Sequence, residues 1–335
     1  MPLTNEKLEH KRQTLIERTS RALKNTPDEA RELLTIGRVQ SVRINTLAAP
    51  LDQTMTELYE LDVTLAQSPL MQTGMSIEDG RIAIRDSVLA QSGKVYIQNA
   101  ASWLPVLALD PKPGDYILDM CAAPGGKTSH IAQCADNNAT IVANDNSRPR
   151  LHKLQSNLER LHVKNVSYTL HDATRLSHQL ESASFDKILL DAPCSGEGMM
   201  TLDDKKGFES WSVAHIKRLQ KLQKKLIVQA WTLLKPGGTL VYSTCTMAPE
   251  ENEAVLDYLL RHNDDSTIEP LHELAQHLEN MVDPVLEWNG KLFDERLVQA
   301  LRLKPSPQVE AFFVVKITKG YDQGQNLLHK RDTVY

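Results

Sequence analysis

At 335 residues, 41% hydrophobic and 24% charged, the chain can bury a large core unaided and has neither a disordered nor a collagen-like composition. A net charge of -5 argues against a uniformly basic nucleic-acid binder, because a phosphate backbone is held first by Lys and Arg. That average hides two basic stretches: residues 201–225 carry seven Lys or Arg against three Asp or Glu, and the first fifty residues nine against six. No apolar run approaches the roughly 20 residues of a membrane span, and the amino terminus is polar, so a cytoplasmic protein is expected. The four cysteines, Cys121, Cys134, Cys194 and Cys245, form neither a C-x-x-C zinc knuckle nor a disulfide framework. No metal is expected, and each thiol is judged by itself.

From the amino terminus, Leu8, Leu15, Ile16, Leu23, Leu33 and Leu34 recur among charges at near-helical spacing and predict helices within 5–37, with Pro27-Asp28-Glu29 opening a second one. A strand is predicted at Val42-Arg43-Ile44, a helix near 51–61, and a strand at Arg81-Ile82-Ala83-Ile84. Residues 1–94 read as a small α+β domain. From about Val95 strands and helices alternate, with strands at 116–119, 140–143, 166–170, 187–190, 239–242 and 311–317 and helices at 127–134, 149–161 and 213–234. This rhythm predicts an α/β domain over 95–320 built on a parallel, doubly wound sheet, which binds ligands beyond the carboxyl ends of its strands. Residues 321–335 read as a polar tail.

Asp119-Met120-Cys121-Ala122-Ala123-Pro124-Gly125-Gly126-Lys127-Thr128 leads from a strand straight into a helix. Small residues let a ligand approach the backbone, and a helix amino terminus favours an anionic group. The segment is not a phosphate-binding P-loop, because Cys121 stands where its first glycine is required, and the spaced glycines of a dinucleotide fold are absent. Asp145 after the second strand suits the two hydroxyls of a ribose, and Asp172 after the third suits an adenine amino group. Acids after three successive strands fit an adenosine whose far end carries no phosphate, which points to S-adenosylmethionine. Each acid could alternatively cap the helix that follows it.

Asp191-Ala192-Pro193-Cys194-Ser195-Gly196-Glu197-Gly198 follows the fourth strand and Ser243-Thr244-Cys245-Thr246 the fifth, so two thiols and an acid meet the same sheet edge. Cys134 lies within its helix without polar companions and reads as a packing residue. Methylation of cytosine at C5 needs these parts: a thiolate adds to C6 and makes C5 nucleophilic, while an acid at N3 stabilises the charge that forms. The thiolate needs positive charge or a helix amino terminus nearby. Asp191 would serve N3.

The runs DMCAAPGGKT, DAPCSGEG and STCT, with GKVYIQNAASWLPVLALDPKPGD ahead of them, resemble the RsmB/NOP2/Sun family of RNA cytosine-5 methyltransferases over residues 41–317. The resemblance implies a Rossmann-like, class I S-adenosylmethionine-dependent methyltransferase sheet behind a small RNA-binding domain. It implies that Cys245 is the nucleophile and that Cys194 assists product release. It further implies a cofactor site of Cys121, Ala122, Ala123, Pro124, Gly125, Gly126, Lys127, Asp145, Asp172 and Asp191. Arg150 matches a recurrent basic position of the family or is a surface residue, and Arg43 with Asn45 looks like the family's RNA-gripping R-x-N element or makes a structural salt bridge.

Residues 305–313 depart from the family's closing motif, so contacts there are open. The expected partner is structured rRNA or tRNA, held by the small domain and by the helix bearing Lys217 to Lys225, and the chain is expected to act as a monomer. The competing reading is a ribosome-assembly factor that binds RNA without activity. Intact Cys194, Cys245 and Asp191 count against it, and methylation of DNA, protein or a metabolite is a third alternative.

Overall fold

The computed structural model describes residues 4–37 and 40–321, so the 321–335 tail lies almost wholly outside the described residues. Helix α1 (Asn5–Leu23) is capped by the Thr4 hydroxyl, and α2 (Pro27–Leu33) opens on a reciprocal capping box between Thr26 and Glu29. Next come β1 (Gln40–Ile44), α3 (Leu51–Tyr59), β2 (Thr64–Gln67), β3 (Gly74–Asp79), α4 (Arg81–Asp86), α5 (Val88–Gln91) and β4 (Val95–Ile97). The four strands form an antiparallel sheet in the order β2-β3-β1-β4.

The small domain departs from its sequence pattern at two points. Arg81-Ile82-Ala83-Ile84 is helical, although its alternation suggests a strand: Ile84 is buried but Ile82 is 63% exposed, so the two do not share a buried strand face. The change of rhythm at Val95 also falls one strand early, because Val95, Tyr96 and Ile97 pair with Ile44, Arg43 and Val42 and complete the small sheet. Helices α1 and α2 do not pack on that sheet. Leu8, Leu15, Ile16, Ala30 and Leu34 instead join Phe208, Trp211 and Met247 of the following region in one core cluster.

The larger sheet begins after α6 (Leu104–Leu109). In chain order its parts are β5 (Tyr116–Asp119), α7 (Gly126–Cys134), β6 (Thr140–Asn144), α8 (Arg148–Arg160), β7 (Val166–Thr169), β8 (Phe185–Asp191), α9 (Lys205–Ser210), α10 (Val213–Leu233) and β9 (Leu234–Thr244). They are followed by α11 (Glu253–Leu260), β10 (Ser266–Glu269), β11 (Met281–Val282), the hairpin β12 (Glu287–Trp288) and β13 (Lys291–Leu292), then β14 (Leu301–Leu303) and β15 (Phe312–Lys319). The order β11-β14-β15-β9-β8-β5-β6-β7 makes a Rossmann-like sheet whose five strands β9-β8-β5-β6-β7 run parallel. The middles of β5, β6, β8 and β9, such as Ile117, Leu118, Ile141, Ile188, Leu189 and Val241, are fully buried, each stabilising the fold by roughly 1.5–3 kcal/mol.

The sheet is mixed rather than wholly parallel. β15 lies antiparallel to β9, with Phe313 opposite Thr244 and Thr318 opposite Thr239. It also pairs antiparallel with β14, from which only a short loop separates it, and a parallel pairing there would need a crossover of a dozen or more residues. Among the described residues no helix is long and apolar enough to cross a membrane.

Arg43 and Asn45 face inward. The Arg43 side chain is fully buried, donates to Ser129 Oγ at 2.7 Å and to Gln133 Oε1, and lies over the Tyr96 ring. Asn45 donates to the carbonyls of Gly93 and Leu161, both at 2.9 Å. They fasten the small sheet to α7 and the end of α8. This placement is neither an RNA grip nor a salt bridge, and burial pulls the Arg43 guanidinium down to about 10.

Candidate active site

The carboxyl ends of β5, β6, β8 and β9 converge on two adjoining cavities. The link from β5 to α7 separates them. Gly125 takes a left-handed φ of 104° there, and a Cβ on it would stand 2.9 Å from Leu154 Cδ1, so this turn admits only glycine without strain. One cavity, about 330 Å³, is lined by Cys121, Asp145, Asp172, Asp191, Cys194 and Cys245 among others. The other, about 230 Å³, is lined by Tyr96, Gln98, Asp119, Lys127 and again Cys121 and Asp191. Ala123 faces both cavities, Ala122, Pro124 and Gly126 face the smaller, and Gly125 lines neither and acts through the turn.

Asp145 is 2% exposed, accepts from the Ser147 amide at 2.9 Å and meets Arg150 at 3.2 Å. Arg150 also donates to the Ala123 carbonyl at 2.8 Å, which ties the acid to the β5–α7 link. Asp172 accepts from the amide and hydroxyl of Thr174, and these bonds hold its carboxyl below the usual range. It therefore both caps a turn and lines the larger cavity.

Cys194 and Cys245 lie with their sulfurs 3.3 Å apart. Gly198 makes this approach possible: its amide donates to the Cys245 carbonyl at 2.9 Å, and a Cβ would come within 2.2 Å of the Ala311 carbonyl. The hydrogen bond with Cys245 first, then burial, pushes the Cys194 thiol well up, so Cys194 retains its proton. Burial, with the charges of Asp119 and Asp191, also raises the Cys121 thiol, which disfavours a thiolate there. Cys134 is exposed at the end of α7, not packed in a core.

Asp191 is engaged at both oxygens, by Lys127 Nζ at 2.7 Å and by Ser243 Oγ at 2.8 Å. Burial lowers the Lys127 amine, but the contact with Asp191 outweighs it and the net shift is upward, with a further contribution from Cys245. The sequence places Lys127 in the cofactor loop; the fold also sets it against Asp191. Asp119, 1% exposed, accepts from Thr128 Oγ1 at 2.7 Å while its other oxygen has no partner. Burial pushes this carboxyl up to about 7. The sequence counts Asp119 only as the acid ending the first strand and assigns it no contact; its signal is the start of the motif itself.

Helix α10 is two-sided: Leu222 and Leu226 wall the larger cavity, whereas Lys217, Arg218, Lys221 and Lys225 are exposed. Among the described residues no three His, Cys, Asp or Glu side chains are grouped to hold a metal.

The model of the 16S rRNA methyltransferase RsmB/F family matches residues 106–318. The chain belongs to that family. Like its members it is a methyltransferase with S-adenosylmethionine as methyl donor, built on the Rossmann-like sheet described above. It is 37% identical over 289 residues to the tRNA (cytosine(49)-C(5))-methyltransferase of Pyrococcus abyssi, covering 83% of this chain and 88% of that one. It is also 37% identical over 289 residues to the ribosomal RNA small subunit methyltransferase F of Aeromonas salmonicida, covering 84% of this chain but 57% of that one. The chain thus spans little more than half the length of that bacterial relative. The crystal structure of a methyltransferase homolog from Pyrococcus horikoshii superposes with a TM-score of 0.78 at 32% identity, over 95% of this chain and 100% of that one.

Proposed function

We propose that this methyltransferase acts on C5 of a cytosine in structured RNA, rRNA or tRNA, through a covalent bond between Cys245 and C6. The observation that carries the reading is the pair of sulfurs at 3.3 Å, beside the Lys127–Asp191 pair, on the edge of the cavity that suits the methyl donor. The names of the relatives above support an RNA cytosine as substrate.

The residues fit the cofactor on both sides of the β5–α7 link. Asp145 and Asp172 would take the ribose hydroxyls and the adenine amino group in the larger cavity. The unpartnered oxygen of Asp119 suits an ammonium group in the smaller one, and the amino end of α7 suits a carboxylate. When bound, the cofactor supplies an electrophilic methyl group.

The protein's own residues would do the rest. Cys245 attacks C6, and the negative charge that develops on the ring at N3 is met by the Lys127–Asp191 pair, with a proton from the ammonium available at that edge. Cys194 keeps its proton through this step and stands at contact distance from the adduct sulfur. After methyl transfer the C5 proton passes to a water molecule in the open cavity, N3 returns any proton it took to Lys127, and the C6–S bond breaks, returning Cys245 as a thiolate. The target base has to leave its stack to reach Cys245, so unpaired cytosines are preferred. The exposed lysines of α10 would hold the RNA backbone.

RNA containing 5-fluorocytosine tests this directly, because the fluorine blocks the last proton loss and traps the adduct. Cys245→Ala should abolish the trapped complex, and Cys194→Ala should let an adduct persist on ordinary RNA. The opposite pattern would reverse the two roles, and no complex with any RNA would remove the covalent route.

A further inference from the structure

Four side-chain oxygens, from residues that line neither of the two cavities, lie in a row. Glu251 Oε2 meets Ser195 Oγ, Ser195 Oγ lies 2.8 Å from Thr246 Oγ1, and Thr246 Oγ1 lies 3.2 Å from Glu197 Oε2. Each link needs one proton, since two bare oxygens facing each other at such a distance repel. Three links need three protons. The hydroxyls of Ser195 and Thr246 supply two. The third has to be a carboxylic acid proton on one of the glutamates.

We propose that Glu251, Ser195, Thr246 and Glu197 form a hydrogen-bonded wire, buried except at the half-buried Ser195, that stores one proton, and that this proton staples the loop of Cys194 to the loop of Cys245. The wire passes through the residue after each thiol, so its middle link joins the same two loops as the 3.3 Å sulfur contact. Its ends are fixed from several elements. Glu251 Oε1 accepts from the Ser195 amide and from Gln223 of α10, both at 3.0 Å, and Glu197 Oε1 accepts from Trp211 Nε1 at 3.0 Å. None of these partners carries a charge that would offset two buried carboxylates.

Several charged or titratable groups face the wire. Arg18 of α1 meets Glu250 at 2.7 Å and attracts Glu197 and Glu251; the Cys194 thiol and the Tyr242 phenol, which donates to the Glu251 carbonyl, lie on the strand side. Burial raises both carboxyls, but at Glu197 the charge of Arg18 opposes it, whereas Glu251 has no such cation among its main influences and is pushed up to about 7. The stored proton therefore belongs to the Glu251 end. Its loss would set Ser195 and Thr246 oxygen to oxygen and part the two loops.

Glu251 is a positioning residue in this scheme, and its effect on the thiols rests on the functional reading above, whereas the existence of the proton does not. Carbon-13 NMR of protein labelled at the glutamate carboxyl carbons should show one buried carboxyl that titrates near neutrality and disappears in Glu251→Gln. In methylation assays kcat should fall as the pH rises through neutrality. Glu251→Ala should lose about tenfold or more in kcat with KM for RNA little changed. Glu251→Gln, whose amide N–H donates to Ser195 as the acid proton does, should recover most of that loss and abolish the fall with pH. Both glutamates titrating in the ordinary carboxylate range would overturn the stored proton, and an unaltered pH profile in Glu251→Gln would overturn its link to the thiols. If no RNA is methylated, the functional reading fails while the NMR result still decides the wire.

Discussion

Acids flank the thiols on two sides, and the sides differ in what compensates them. Facing the cavities, the side chain of Asp191 is 30% exposed and contacts the Lys127 ammonium at 2.7 Å. On the interior side Glu251 and Glu197 are 0% and 2% exposed, and they contact hydroxyls, amides and an indole. A contacting cation offsets a carboxylate's charge directly, while neutral donors only solvate it, so the interior side has to limit its charge by keeping a proton. One residue class thus serves an exchangeable site in front of the sulfurs and a fixed support behind them.

The largest effect expected is on the interior side. Arg302 and Glu253 form a 2.8 Å ion pair, both nearly inaccessible, and Glu253 also accepts from the Val285 amide. Arg302→Met strands a buried carboxylate two residues from Glu251, and urea unfolding should show a loss of about 3–5 kcal/mol. A loss near zero would mean that the acid run Glu250-Glu251-Asn252-Glu253 is held by something other than its buried partners. Next comes the cavity side. If the Lys127–Asp191 pair meets the charge that develops on the substrate, Lys127→Met should slow single-turnover methylation by roughly a hundredfold to a thousandfold. A reduction under about tenfold would separate the Lys127–Asp191 pair from the chemistry.

These two sides are unequally legible in the sequence. The parallel strands β5, β6, β8 and β9 read correctly because each contains a short apolar run with a motif at its end, and strand ends alone bring Cys194, Cys245 and Asp191 together. The interior support does not read at all: Ser195 and Glu251 are 56 positions apart, Thr246 and Glu197 are 49 apart, and nothing local marks either pair. The same difficulty explains Arg43. A cation on a strand suggests an RNA contact until the fold supplies Ser129 and Gln133, which lie 86 and 90 positions away, as its partners. In the small domain, β3 goes unread and the alternation at 81–84 draws the assignment, although the buried Met75 and Ile77 lie in that strand.

A smaller effect sharpens the comparison through pH. Asp119 and Glu251 keep their protons up to about 7 in the fold, against ordinary values of 3.8 and 4.5. Between those values and about 7 the folded chain binds more protons than the unfolded one, so stability falls as the pH rises through this window and levels off above it. Each group contributes up to about 1.4 kcal/mol per pH unit. Thermal unfolding should therefore show a higher Tm at pH 5.5 than at pH 8, and Asp119→Asn should flatten part of that slope. A Tm that rises over the window would place the dominant titration on His130 instead, whose imidazole is held well below its ordinary value by burial and is protonated more readily in the unfolded chain.

The smallest effect tests whether the outer face of α10 is functionally separate from both acid clusters. Lys217, Arg218, Lys221 and Lys225 are exposed, while Leu222 and Leu226 on the same helix wall the larger cavity. If the basic face holds the RNA backbone, replacing Lys217 and Lys221 by Gln should weaken binding by a similar factor for every RNA and lower the salt slope by about 0.7–0.9 for each phosphate that is no longer neutralised. Trapping on 5-fluorocytosine should persist at saturating RNA, because no reacting group is altered. A change in the trapped fraction at saturation would show that α10 couples its RNA face to the cavity wall, and that the lysines act through Leu222 and Leu226 as well as through charge.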